Sequence, residues 1–277
     1  MHASQNSGST SASLHQIRTP IRYIVKGEVA RFYPAERERS YWPADDHEMQ
    51  VTDLRTVPEP MTVAQNGFAL LKEPTAVTNF FDPAEVERVF YPEIIALAKR
   101  VNGASHAIAF GPVPRSDNPA IKQGRLPSFG AHVDYGRRTV EEVVREMLGD
   151  AAEVLLQKRV VLMNFWRPIS TVYRSPLALC DASSVARDDL YDSEIYGGLD
   201  NPDRAPLYGY NLSYNPAHRW YYVKHMQPDE VFAFKLYDSL ESAPQWTGHT
   251  AINDPETRDG DPWRESMEIR TISFIDP

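Results

Sequence analysis

The run Arg159-Val160-Val161-Leu162-Met163-Asn164-Phe165-Trp166, RVVLMNFW, is after its first residue a continuous apolar chain broken by one asparagine. It falls far short of the roughly 20 residues a membrane-spanning helix needs. Its β-branched and aromatic content marks a strand. Working outward, Leu207 to Tyr214, Trp220 to Val223, Val231 to Leu236 and Met267 to Phe274 read the same way, separated by Pro, Gly, Asn and Asp. Upstream, Ile21 to Val25 and Gly67 to Lys72 are further β-type runs. Two helices interrupt them. One starts at the Asp82-Pro83-Ala84-Glu85 cap and runs to Ala98, interrupted or kinked near Pro92; the other spans Thr139 to Leu148 and is stopped by Gly149. Short strands with turn signals and 22 prolines predict a mainly β chain with flanking helices, an antiparallel sandwich or barrel rather than a parallel sheet. Residues 1–15 read as a disordered tail, because Met1 to Leu14 is rich in Ser and small polar residues. Residues 16–277 show no internal repeat or linker and read as a single domain.

A formal charge of −9, with no local run of Lys or Arg to offset it, argues against nucleic acid as a partner. The N-terminus lacks a hydrophobic signal region, so the expected location is cytoplasmic, with no membrane partner. Cys180 is the single cysteine, which excludes a disulfide framework and a cysteine-rich zinc site. Its neighbours supply no base, so it reads as an inert packing residue. Any metal must therefore be held by imidazole and carboxylate.

The stretch Phe129-Gly130-Ala131-His132-Val133-Asp134-Tyr135-Gly136 offers such a pair. About one half of a His-x-Asp triplet is expected by chance at this composition, so the pair needs partners. In a strand, His132 and Asp134 project to one side and can reach one ion. A second imidazole would complete the 2-His-1-carboxylate face of non-haem Fe(II) oxygenases, leaving three coordination positions free. His218 and His225, seven apart in a strand-like segment, would face opposite ways and read as hydrogen-bonded histidines. His249 lies in Trp246-Thr247-Gly248-His249-Thr250-Ala251, where small neighbours would let a metal approach. Further on, Arg264-Glu265-Ser266 places a guanidinium and a hydroxyl on one side of a strand, the pair a dicarboxylate cosubstrate requires.

The order His-x-Asp, a long gap, His, then Arg-x-Ser resembles the Fe(II)/2-oxoglutarate-dependent oxygenases. Asn164-Phe165-Trp166-Arg167-Pro168, Asp181-Ala182, Tyr214-Asn215-Pro216-Ala217-His218-Arg219-Trp220, Asp229-Glu230-Val231 and Phe234-Lys235-Leu236-Tyr237-Asp238-Ser239 extend the likeness. They point to one subfamily, that of the fungal gibberellin desaturase, aspergillic-acid-type hydroxylases and proteins related to cephamycin methoxylation. The similarity runs from Ile17 to the C-terminus and is densest from Pro127. It implies a double-stranded β-helix of jelly-roll, cupin-like type and three cofactors: Fe(II), 2-oxoglutarate and O2. It also implies an enzyme of secondary metabolism that hydroxylates, desaturates or oxidatively closes a ring in a small metabolite or amino-acid-type substrate, releasing succinate and CO2. By that resemblance His132, Asp134 and His249 would hold iron, and Arg264 with Ser266 the 2-oxoglutarate tail.

Alternatives stay open at this level. Arg270 shares the strand parity of Arg264 and could be the carboxylate clamp instead. Arg167 could reach cosubstrate or substrate, or could stack on Trp166 or pair with a buried acid. A substrate handle could come from Arg125, Lys235, Tyr135 or Asp238, and aromatic segments such as Trp220-Tyr221-Tyr222 could be pocket wall or core. A zinc hydrolase built on the same triad is a second reading. A non-catalytic sandwich, in which Arg264 pairs with Glu268, is a third. An antiparallel sandwich also offers a surface for a homodimer.

Overall fold

A computed structural model describes residues 13–33, 36–122, 124–197 and 206–276. The expected tail lies outside the described residues except at its end, where the His15 backbone N–H donates to Thr56 Oγ1 at 3.0 Å. In chain order the strands are β1 (Gln16–Ile24), β2 (Ala30–Phe32), β3 (Ala44–Asp53), β4 (Phe68–Lys72), β5 (His106–Ser116), β6 (His132–Val133) and β7 (Arg159–Pro168). They continue with β8 (Leu177–Cys180), β9 (Leu190–Ile195), β10 (Leu207–Leu212), β11 (Trp220–Tyr222), β12 (Glu230–Asp238), β13 (His249–Ala251) and β14 (Glu265–Ile275).

Two sheets result. The larger runs β1-β3-β11-β8-β13-β6-β10-β9-β2 and the smaller β4-β12-β7-β14-β5. All pairings are antiparallel except β3 with β11 and β2 with β9. The large sheet curls back on itself: Ile24 at the end of β1 bridges Ser213 just past β10, and the Ala131 N–H donates to Arg22 O. Face-to-face packing of a curled sheet on a flatter one is the expected jelly roll.

Strand periodicity sorts the core. In β7, Val160, Leu162 and Trp166 join Phe232, Phe234, Ile272 and Phe274 in the core that the sheets share. The odd-numbered Val161, Met163 and Phe165 turn the other way, toward Val231, Ala233, Met267 and Ile269. A helix covers this outer face with Phe90, Ile94 and Leu97. Each such fully buried side chain contributes about 1.5–3 kcal/mol.

That helix starts as α1 (Pro83–Glu85), capped by Asp82 accepting from the Ala84 N–H, and ends as α2 (Tyr91–Asn102). Between them Val86–Phe90 forms a π-type turn, in which the Tyr91 N–H reaches back five residues to Val86 O. The expected irregularity near Pro92 is this widened turn. It takes up the missing N–H of proline and the clash of its ring with the preceding carbonyl without breaking the helix axis. The second helix, α3 (Arg137–Leu148), ends at Gly149 as expected and buries Val140, Val143 and Val144 in the shared core; a single turn, α4 (Ala152–Leu155), follows.

Candidate metal and cosubstrate site

Two adjacent strands of the large sheet bring the candidate ligands together. His132 on β6 pairs with His249 on β13 on one side and with Asn211 on β10 on the other, so all three side chains share the face turned to the smaller sheet. Strand β6 is only two residues long, and Asp134 lies just past its end while still projecting beside His132. Gly209 on β10 makes this possible, because a Cβ there would stand 2.6 Å from Val133 O and 2.8 Å from Asp134 O. Gly248, expected from its size to let a metal approach, does not serve that purpose. A Cβ there would meet Leu212 Cδ2 at 2.6 Å on the opposite face, so its smallness serves packing.

The protons of both imidazoles are placed by backbone carbonyls. His132 Nδ1 lies 2.7 Å from Gly130 O and His249 Nδ1 lies 3.2 Å from Thr247 O. A carbonyl can only accept, so each Nδ1 carries the hydrogen and each Nε2 keeps its lone pair. Those two Nε2 atoms face Asp134 Oδ1 at 3.5 Å and 3.8 Å, too far for good hydrogen bonds. The ligand atoms of the three residues lie within 4.8 Å of one another. Three electron-pair donors converge with no proton between them, which is the donor set a divalent metal fills. Among the described residues no other trio of His, Cys, Asp and Glu comes together in this way. The side chains of His132 and Asp134 keep 22% and 14% exposure, whereas that of His249 keeps 5%. The ring of Phe234 stands 4.8 Å from the His249 ring.

Burial opposes ionisation of Asp134, but the Arg270 guanidinium outweighs it and holds its carboxyl well below the usual carboxylate range. The His249 imidazole is pushed below its ordinary value, first by burial and then by the neighbouring His132. Asp134 Oδ2, turned away from the imidazoles, accepts from Arg270 Nε at 3.2 Å and Nη2 at 3.0 Å, and more weakly from Asn164 Nδ2 at 3.4 Å.

The three candidate arginines separate cleanly. Arg270 is committed to two carboxylates, Asp134 and Glu268, and its Nη1 donates to Gly111 O. Arg167 lies on the outer face of β7, where Nη2 donates to Glu73 O at 2.6 Å and Pro228 O at 2.8 Å, and its guanidinium lies 5.8 Å from the rings of both Phe80 and Phe90. The structure therefore does not bring Arg167 to the site, and neither Trp166 nor a buried acid is its partner. Arg264 is 1% exposed. Its Nε donates to Ser266 Oγ at 3.2 Å, its Nη1 to Ser175 O at 2.6 Å, and its face lies 5.0 Å from Trp166. Among the described residues no carboxylate lies within ion-pair distance of it; Glu268 pairs with Arg115 and Arg270 instead. Burial, and then the positive charge of Arg115, push Arg264 down to about 9. A buried guanidinium left with only neutral partners is short of one anion.

Other candidates fall to structural roles. Lys235 and Asp238 pair with each other at 2.7 Å in the interior, and Arg159 also holds Asp238. His218 is a buried hydrogen-bonded histidine, between Asp189 and the Tyr23 hydroxyl. Burial raises the Cys180 thiol to about 12, an inert group. Tyr135 stays at the site, its ring 5.7 Å from the Arg270 guanidinium. The sequence assigned no role to Asn164, Asn211 or Arg115, and offered Glu268 only as a partner for Arg264; the structure pairs it with Arg115 and Arg270. For Asn164 a signal existed, since it is the one polar residue between Arg159 and Arg167 in an otherwise apolar strand and shares the parity of Trp166. Asn211 Nδ2 is buried without a partner beside His132.

A family model described as an oxidoreductase/YMDC permease-like domain matches residues 19–274. The alpha-ketoglutarate-dependent dioxygenase phiK of a fungal species (strain ATCC 74256) is 31% identical over 234 residues, covering 81% of this chain and 82% of its own length. The hydroxylase/desaturase efuI of Hormonema carpetanum is 29% identical over 248 residues, covering 81% and 82%. Among solved structures, the iron and alpha-ketoglutarate-dependent endoperoxidase NvfI superposes with a TM-score of 0.82 at 25% identity, covering 95% of this chain and 99% of that one. No helix among the described residues is long and apolar enough to cross a membrane.

Proposed function

This chain belongs to the Fe(II)/2-oxoglutarate-dependent dioxygenases, and we propose that His132, Asp134 and His249 hold its iron while Arg264 and Ser266 grip the distal carboxylate of 2-oxoglutarate. As a member of that family it is an oxidoreductase that uses Fe(II), 2-oxoglutarate and O2. The observation that carries the site assignment is the pairing of two features: imidazole tautomers that leave three donors facing one point, and a buried arginine with no anion. Arg270 is a poorer clamp because its charge is already balanced by two carboxylates.

When bound, iron and 2-oxoglutarate supply the oxidising chemistry: O2 is consumed, 2-oxoglutarate becomes succinate and CO2, and a substrate C–H bond is cleaved. The chain's part is placement. Gly130 O and Thr247 O keep both Nε2 lone pairs turned inward. Arg264 offers a fixed fork to one carboxylate, and Trp166 on its face excludes water from that end. His132 and Asp134, the less buried members of the trio, form the side from which substrate arrives. The relatives, named hydroxylase/desaturases and an endoperoxidase, support a small natural product as substrate, oxidised by hydroxylation, desaturation or ring closure.

The zinc-hydrolase reading is less well supported, since the nearby carboxylate Glu268 is held by two guanidiniums and is not free to act as a base. Anaerobic addition of Fe(II) and 2-oxoglutarate should give a visible charge-transfer band, and under air with ascorbate the same mixture should release succinate. Both signals should vanish in His249→Ala. A wild-type protein that shows neither, or a His249→Ala variant that keeps both, refutes the assignment.

A further inference from the structure

Behind the trio runs a chain of four charges, buried or nearly so, that alternate in sign. Asp134 meets Arg270, Arg270 Nη2 donates to Glu268 Oε1 at 3.1 Å, and Glu268 takes a bidentate pair from Arg115 at 3.1 Å and 2.8 Å. Arg115 in turn donates from Nη1 to Leu126 O at 2.9 Å, on the segment leading into β6. Asp134, Arg270 and Glu268 carry side chains only 14%, 11% and 6% exposed.

The geometry points to Arg270 as a positioning residue that locks Asp134 into one-oxygen binding, with Glu268 and Arg115 holding Arg270 in place; this rests on reading the trio as the iron site. Both donors of Arg270 fall on Oδ2 alone, and Asn164 adds a third. Oδ1 is left as the only oxygen turned toward the imidazoles. A carboxylate free to swing would take two positions on a metal and remove one of the three that cosubstrate and O2 require. Stability alone is a weak reason for such a chain, because buried ion pairs often gain little over apolar packing. Orientation of a metal ligand by an outer partner is a stronger one.

The test is titration with Co(II), without 2-oxoglutarate, read by its visible absorption and dissociation constant, with thermal unfolding as a check of folding. Arg270→Gln should weaken Co(II) binding about 10–100-fold and alter the absorption envelope. Arg270→Lys keeps the charge but not the fork, so it should stay weakened; a role in charge balance alone would let lysine restore binding in full. If Arg270→Gln does not fold, Glu268→Gln, which loosens Arg270 without touching Asp134, should still weaken Co(II) several-fold. Wild-type affinity and spectrum in Arg270→Gln, full rescue by lysine, or an unaffected Glu268→Gln overturns the inference while leaving the iron site standing. Failure of the wild-type protein to bind Co(II) overturns both.

Discussion

Arg264, just before β14, turns its Nε to the hydroxyl of Ser266, two residues further on, at 3.2 Å. The contact leaves the buried guanidinium hydrogen-bonded to neutral groups alone. Its worth is therefore expected to differ in sign between folding and binding. Arg264→Met should leave the melting temperature unchanged or raise it, because it replaces a buried cation lacking a counter-charge with an apolar side chain. The same change should weaken 2-oxoglutarate binding by about 1.5–3 kcal/mol or more, roughly 10–150-fold, as a charged hydrogen-bond partner is lost. Calorimetric titration with 2-oxoglutarate in the presence of Mn(II), beside a melting curve, measures both. A large loss of stability would mark Arg264 as structural.

Acid should unfold the metal-free protein in a defined window. Burial disfavours the charged forms of Asp134, Glu268 and Asp238, yet Arg270, then Arg115, and for Asp238 the pair Arg159 and Lys235, reverse the balance and depress all three. Folded values below unfolded ones mean that the unfolded chain binds more protons. The stabilisation is then fully present above the unfolded carboxylate range near pH ~4, and is lost as pH falls through the depressed folded values. Melting temperature should hold from neutrality down to about pH 5 and drop steeply below about pH 4. Asp238→Asn should cost about 3 kcal/mol at neutral pH, at the lower end for a broken buried pair because Arg159 is partly exposed. Its acid drop should also be shallower.

Gly248→Ala should destabilise the protein by about 1–3 kcal/mol, because the new methyl meets Leu212 in a filled core. Leu212→Ala alone should cost about 2–5 kcal/mol. The double variant should cost less than the sum, with a coupling of about 0.5–3 kcal/mol by chemical denaturation. Strict additivity would show that the two side chains do not compete for the same space.

Tyr23→Phe probes the buried network away from the trio. The Tyr23 hydroxyl accepts from Trp220 Nε1 at 2.8 Å and lies 3.3 Å from His218 Nδ1. Removing it strands a buried indole N–H and should cost about 1–3 kcal/mol of stability. Metal affinity should not change, and a shift in Co(II) binding would reveal communication between the two faces of the large sheet.

Parity made the trio readable in the sequence. His132 and Asp134 are two apart, and Arg264, Ser266, Glu268 and Arg270 are spaced evenly along one strand. The same rule separates Arg167 from the site, since it is one residue out of phase with Trp166 and three with Asn164. Strand β3 escaped notice because Asp45, Asp46 and Glu48 are poor strand formers, and only its later half, with Met49 and Val51 buried, shows a core face. The meeting of Arg115 with Glu268, and of Asn211 with His132, depends on registers between strands far apart in the chain. Local spacing does not encode those registers. The π-type turn before Pro92 was readable as a disturbance but not as its form.

The trio is open along the flank of His132 and walled by Phe234 behind His249. A prochiral carbon brought to it is presented from one direction, so the two hydrogens it carries are chemically unequal before any bond breaks. Where the reaction creates a stereocentre, the product from this enzyme should accordingly form as a single stereoisomer.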